Sequence, residues 1–503
     1  MEISFCGGMS KGRSVSVDGA ECVNLYPEIT GASQVTKANY ITNPDSKSNM
    51  ILIGTPGTVE FTKIPGYGVC RRLYASALGR LFAIIGNKFY EIKPDKSYIV
   101  LGTLNTDSGY VSIAENNFQL MLCDGNAGYI YNFQEVLDNS GNIMAAAETF
   151  VTISDPAYPL GNSVICINGF FIQNEVNTSN FWFSKYQNGL IWDGTWFYAA
   201  EGSADSILAI GTINNEIWLF GSKSIEIWYN HPPTGTDAYD IFSRVNNTFL
   251  NIGLASIASV ATISNTIFWL GSNLEGNNTI YSGTGYTPGQ ISTHSLEYLL
   301  SQMTITDDAI GMCYQQEGHA FYVLTFPNGN QTYCYDTSTG LWHERGRWNK
   351  STGTNDAWPG ICCVFWNNKN YIGDYQNGSI HQLDLNVYTD NGNPIIRKRT
   401  GGHIHSDRQR LFFHEFEIDL QRGIGLTSGQ GSNPKACLQW SDDGGYKWSN
   451  EYWSSPGKKG DYRARLHWHR LGYSRDRIFR LTVSDPVKWV VIGCRGDIEI
   501  EKE

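Results

Sequence analysis

Charge is scarce in this 503-residue chain, at 17 % of residues, which disfavours a helical protein built on Glu, Lys and Arg faces. Apolar runs are short. None reaches the roughly eighteen residues that a membrane-crossing helix needs, so no membrane insertion is expected. The first fourteen residues lack a basic stretch followed by an apolar one, and with no signal peptide the expectation is synthesis in the cytoplasm. The eleven cysteines include no C-x-x-C pair. They read as reduced thiols that behave as small core hydrophobes. G-x-x-x-x-G-K-[ST], H-E-x-x-H and G-x-S-x-G are all missing, which leaves phosphate-loop, zinc-protease and serine-hydrolase chemistry without a foothold. No catalytic residue, cofactor or bound metal is expected.

What is present is pleated and rich in turns. Aromatics make up 13 % and glycines number 53, a balance that favours strands. A strand–turn–strand unit recurs about seven times at roughly fifty-residue spacing, over residues 80–92, 119–132, 169–183, 216–229, 266–282, 320–336 and 370–384. Each places an aromatic-rich apolar run on either side of a Gly, Asn or Asp turn. Hairpins at this period bury their faces only by stacking on one another, so the fold class is all-β, a β-propeller of six or seven blades over residues 66–390. Residues 1–65 form an N-terminal segment that packs on the C-terminal domain or closes the propeller. Only 292–303 carries helical spacing, with Leu296, Leu299, Leu300 and Met303 on one face and Ser292 or Thr293 as N-cap. That helix is expected between two blades. The passage Tyr335 to Trp342 reads like a Kelch-type strand, turn and strand.

Residues 388–394 are rich in turn formers and mark a boundary. Beyond it, residues 391–503 read as a β-sandwich-like domain with a basic surface. Between 395 and 480 there are sixteen Lys and Arg against nine Asp and Glu. That segment is therefore +7, and the rest of the −11 chain carries −18. Arg463, Arg465 and Arg470, interspersed with Trp440, Trp448, Trp453, Trp468 and Tyr473, are the candidate interface with a protein partner, since aromatics and arginines favour interface centres. A docking role is preferred to contact with DNA, because a lumen lined with arginine would hold every passing phosphate.

Three further motifs are open to a functional and a plainer reading. Ser441, Asp443, Gly445 and Trp448 fit the Asp-box pattern S-x-D-x-G-x-x-W. Asp-boxes recur in sialidases, but there they lie at structural turns. Here the motif reads as a self-satisfying hairpin turn, with Asp443 accepting backbone N–H groups and Gly445 at positive φ. His403 with His405, and His467 with His469, each put two imidazoles on one strand face. No neighbouring sequence completes a metal site, so exposed or interfacial histidines are the plainer reading. Asp390 to Asn393 resembles a calcium loop but lacks the downstream Glu, and reads as a turn.

Taken in order, several passages resemble a known family. Arg13, Ser14 and Asp18 precede the run Cys22 to Glu28 (CVNLYPE), and Leu52 to Phe61 (LIGTPGTVEF) stands before the first hairpin. Gly285 to Glu297 (GYTPGQISTHSLE) and Tyr335 to Arg345 (YDTSTGLWHER) follow. Together these resemble the packaged DNA stabilization proteins of short-tailed, double-stranded DNA bacteriophages, which are tail hub or nozzle subunits. The resemblance implies a structural virion protein in a ring, commonly a hexamer, below the portal and its adaptor. Such a ring continues the DNA channel, retains the genome, and anchors the tail needle, tailspikes or fibres. Double-stranded DNA would pass through it without sequence-specific binding. The alternative is a carbohydrate-binding or glycan-hydrolysing, sialidase-like propeller that contacts the host surface.

Overall fold

A computed structural model describes residues 2–29, 50–66, 68–137, 143–203, 205–233, 239–272, 276 and 278–501. The turn of the fifth hairpin, at 273–275 and 277, lies outside the described residues. Each hairpin read from the sequence forms the two middle strands of a sheet. In blade one these are Leu81–Ile85 and Lys88–Ile92, flanked by Cys70–Ala75 and Tyr98–Thr103. Every residue of Leu81–Ile85 is buried, as is every residue of His319–Phe326 in blade six. A blade between two others has no wet face, so its middle strands lose the polar alternation of a half-exposed sheet.

Seven such antiparallel sheets follow one another along the chain. The first two strands of most blades meet in two-residue turns with consecutive positive φ, at Asn168-Gly169, Asn214-Asn215, Ser264-Asn265, Glu317-Gly318 and Asn367-Asn368. Those are type I′ turns, whose twist matches that of the strands they join. The seventh blade takes its fourth strand from far away, since Gly57–Lys63 pairs antiparallel with Ser379–Asp384. Phe61 on that strand packs edge-on against Tyr371, 4.8 Å between ring centroids. The N-terminal segment thus closes the ring.

The same segment also builds much of the second domain. One sandwich sheet runs Leu466–His469, Leu411–Leu420, Val490–Ile500, Met50–Gly54, Leu25–Ile29. The other runs Cys22–Val23, Arg397–Thr400, Asp476–Val483, Ala436–Ser441, Tyr452–Ser454. Between them lie Phe413, Leu438, Leu466 and Trp468, with Phe416 stacked on Phe479 at 4.1 Å. Residues before the propeller therefore supply strands to both sheets, alongside those from 391–503.

Propeller and sandwich are one continuous structure. Val23 bridges in parallel to Glu344, the last residue of blade six's outer strand Leu341–Glu344. Asn24, left-handed at φ 55°, is buried at this seam. Its side-chain N–H groups donate to Gly346 O at 3.0 Å and Ile396 O at 2.8 Å, while its Oδ1 accepts from Gly346 N at 2.9 Å. Lys11 reaches Glu344 at 2.7 Å and Glu21 at 3.3 Å. Burial opposes charge on Lys11, but the two carboxylates prevail and hold its pKa above the usual range. The only α-helix among the described residues, His294–Ser301, lies between blades five and six. Thr293 caps it by accepting from Leu296 N, and its Ser295 donates to Asp18 of the N-terminal segment at 2.9 Å.

Not all of the arginines counted in the sequence for the sandwich lie on its surface. Arg397, Arg399 and Arg477 lie in the interior. Arg399 donates to Phe5 O and Gly8 O at 2.6 and 2.8 Å. Arg477 grips Asp442 with two bonds at 2.6 and 2.8 Å and lies over the Phe413 ring. The guanidinium groups of Arg399 and Arg477 tie the N-terminal segment and loops to the sheets here, because their planar fork satisfies several acceptors at once. Part of the positive charge counted in the sequence is spent inside.

Candidate functional site

Two regions combine exposure with specific chemistry: the axis of the propeller and the outer surface of the sandwich. The innermost strands of all seven blades line a central cavity of about 270 Å³. At one mouth it widens to a cavity of about 600 Å³, walled by apolar residues such as Tyr110, Ile257 and Ile361. Arg71 stands at this mouth with its charge already committed. It donates to Thr106 O at 2.8 Å, Ser108 O at 2.6 Å and Gly109 O at 2.9 Å, and burial lowers its pKa. The axial cavity is of a size that holds waters or a small molecule.

The Asp-box forms a compact turn on the sandwich, between Ala436–Ser441 and Tyr452–Ser454. Ser441 Oγ donates to Asp443 Oδ1 at 2.8 Å and accepts from Gly445 N at 2.8 Å, and Asp443 Oδ1 accepts from Lys447 N at 2.9 Å. The bond from Lys447, then that from Ser441, lowers the pKa of the Asp443 carboxyl. Gly445 takes φ 97°. Trp448 is half-buried under the Arg480 guanidinium, 3.7 Å from the ring centroid. Asp443 itself is exposed. The turn rests against Val15 and Ser16 of the N-terminal segment, which a Cβ at Gly445 or Gly444 would strike at 2.7 or 2.6 Å.

The three arginines read as an interface flank one edge strand, Leu466–His469. Arg463 and Arg470 are exposed. Arg465 is held on its own sheet by Glu417, to which its Nε donates at 2.8 Å, and by Glu415 at 3.3 Å. The aromatics divide likewise. Trp468 is core, and Trp440 stacks on Tyr452 at 4.7 Å. Trp453 and Tyr473 remain 50 % and 59 % exposed, joined by Tyr446 and Tyr462 at 70 % and 71 %. Exposed aromatics of this size are suited to burial against a partner, but they are spread over the domain: Tyr473 pairs with Phe412 at one end of Leu411–Leu420 and Tyr462 lies against Gly423 beyond the other.

The histidine pairs part company. His403 Nδ1 lies 2.8 Å from Asp476 Oδ2, while His405 is exposed at a strand end. His467 and His469 converge, with ring centroids 4.6 Å apart, and Glu415 joins them from the adjacent strand. Sequence spacing could not reveal Glu415, because its position depends on cross-strand register. The Asp390 turn is tied to blade seven, where Thr58 Oγ1 donates to Asp390. Asn24 was legible only as part of a motif. Its joining role depends on contacts 322 and 372 residues away.

Two family models match the chain. One, described as bacteriophage P22 Gp10, β-propeller, covers residues 38–388. The other, described as bacteriophage P22 Gp10, β-sandwich, covers residues 397–499. The tail hub protein gp10 of Salmonella phage P22 is 20 % identical over 305 residues, spanning 60 % of this chain and 62 % of that protein. Among solved structures, virginiamycin B lyase from Staphylococcus aureus gives a TM-score of 0.41 at 13 % identity, covering 65 % of this chain and 98 % of that one. The Pan2 WD40 domain of Neurospora crassa gives 0.38 at 6 % identity, covering 66 % and 95 %. Likeness at these scores says nothing about activity.

Proposed function

We infer function from one premise: the chain belongs to the bacteriophage P22 Gp10 family, in both its β-propeller and its β-sandwich. The function best supported is that of a structural hub in a short phage tail, resident in the virion. The observation that carries it is the family match across both domains, together with a matched relative whose name is tail hub protein. The geometry is in keeping. A seam of buried hydrogen bonds and ion pairs makes propeller and sandwich a single block, which suits a part that transmits load. The exposed aromatics and arginines of the sandwich offer a surface for neighbouring subunits.

In this reading copies of the chain assemble as a ring, with six as the expected number, below the portal–adaptor. The DNA channel is then the hole enclosed between subunits rather than the small axial cavity of each propeller. The ring retains the packaged genome and anchors needle, spike or fibre proteins. The protein catalyses nothing. The sialidase-like alternative leans on an Asp-box that lies on the sandwich, outside the blades, where it closes a turn.

Negative-stain imaging of the purified chain with its adaptor neighbour tests the proposal, with rings around a central pore as the expected result. Particles assembled without this protein should lose their DNA. If they kept it and still bound their appendages, the hub reading would fail.

A further inference from the structure

We propose that Glu415, His467 and His469 hold one divalent transition-metal ion, zinc by the chemistry of the donors, on the outer face of the sandwich. His467 and His469 lie two apart on Leu466–His469 and so share a face. Glu415 on Leu411–Leu420 is the direct cross-strand partner of His469. One donor atom from each of the three lies within 4.8 Å of the other two. His467 Nδ1 sits 3.2 Å from a Glu415 carboxylate oxygen, yet this buried nitrogen makes no hydrogen bond. Two donors on one tetrahedral zinc, each about 2.0–2.1 Å from it, stand roughly 3.4 Å apart. This one pair is spaced as two ligands of one ion would be, and the donor of His469 lies within 4.8 Å of both.

Two imidazoles and a carboxylate are a donor set that zinc accepts, with a fourth position left to water. The strands that carry them are anchored from below by buried Phe416 and Trp468, so the ligands stand on a stiff base. Arg465 is the competing cation, 3.3 Å from Glu415, but it is also held by Glu417. On the third strand, Asp497 pairs with Glu415 and Arg495 with Glu417. Glu415, Glu417 and Asp497 thus set three carboxylates beside Arg465 and Arg495, with the exposed Arg463 and Arg470 at the two ends of the ligand strand.

Zinc titration of the purified full-length chain by calorimetry is the test, with cobalt(II) as a spectroscopic probe. The expected result is one zinc per chain at micromolar affinity or tighter, and visible cobalt bands typical of four coordination. His469→Ala, at an exposed position, should weaken binding by at least about tenfold. Arg465→Ala should tighten it several-fold by releasing Glu415, a change that a merely structural role for these histidines would not produce. No saturable uptake below about millimolar zinc would overturn the proposal. So would equal uptake by the wild type and the His467→Ala/His469→Ala double variant. Should the double variant fail to fold, the Arg465→Ala titration decides alone, and an unchanged affinity there counts against the site.

Discussion

At the scale of single residues, the seam between the two domains depends most on Asn24. Its amide satisfies carbonyls from two distant segments, and its left-handed backbone suits Asn far better than Ala. Asn24→Ala should therefore cost about 2–4 kcal/mol, from lost buried hydrogen bonds and strain, seen as a lower midpoint in chemical denaturation. Asp443 contrasts with it. Because the carboxylate is exposed, its bonds compete with water, and Asp443→Ala should leave the denaturation midpoint nearly unchanged. A clear drop in the midpoint would mean that the turn props up the N-terminal segment behind it. His343 provides a titration. Burial, then the neighbouring Arg345, pushes its pKa from 6.5 down to about 3, so the unfolded chain takes up the proton first. The stability it lends is complete above pH 6.5 and drains away as pH falls towards 3, at up to about 1.4 kcal/mol per unit. His319, raised by its hydrogen bond to Asp336 and by that carboxylate's charge, acts in the opposite sense: its contribution is complete below 6.5 and is lost on the alkaline side. Denaturation midpoints of His343→Leu should fall less steeply with acid than those of the wild type. Equal slopes would refute the assignment.

At the scale of elements, the seven hairpins were legible because aromatic runs and Gly or Asn turns are local signals. Their partners were less so. Some innermost strands, such as Val164–Ile167, are short, and outer ones such as Tyr98–Thr103 are mostly exposed, so these leave no strong pattern. The paired positive-φ turns before five of the seven hairpins, Asn214-Asn215 among them, were the available signal for the inner strands. The sandwich strand Leu411–Leu420 showed through its alternation. Met50–Gly54 did not, since what makes it a sandwich strand is register with Val490–Ile500. A close approach at the joint between blades seven and one gives a test. A Cβ on Gly373 would stand 2.3 Å from Cys70 Sγ and 2.7 Å from Cys362 Sγ. Gly373→Ala should cost about 1–3 kcal/mol through overpacking, and adding Cys70→Ala should restore much of it. No loss in the single variant would show that the innermost strands slide freely.

At the scale of the whole molecule, the segregated charge seen in the sequence is only partly a surface property. Several arginines of the +7 segment hold the domain together, and what remains outside is a mixed surface of Arg463, Arg470 and exposed aromatics. Assembly should therefore depend on both kinds of group. Arg463→Ser combined with Trp453→Ala and Tyr473→Ala should weaken incorporation into particles by tenfold or more while leaving the circular dichroism spectrum unchanged. Adding Arg465→Ser should contribute little, because that side chain is engaged at home. Strong, salt-sensitive DNA binding by the free protein that disappears with Arg463 and Arg470 would place this face in the channel instead.

The strand that closes the propeller has a consequence for how the chain is made. Ser379 of blade seven bonds to Glu60, 319 positions earlier, and Cys6 reaches Val491 across 485. At about 5–20 residues per second on the ribosome, the N-terminal strands wait tens of seconds for partners that have not yet been translated. Six blades can stack as they emerge, but the seventh and the sandwich must form after the rest, from both ends of the chain at once. Such high contact order makes the last step slow. A nascent chain stalled before residue 379 exposes an unpaired strand edge, which is where misassembly between neighbouring copies would begin.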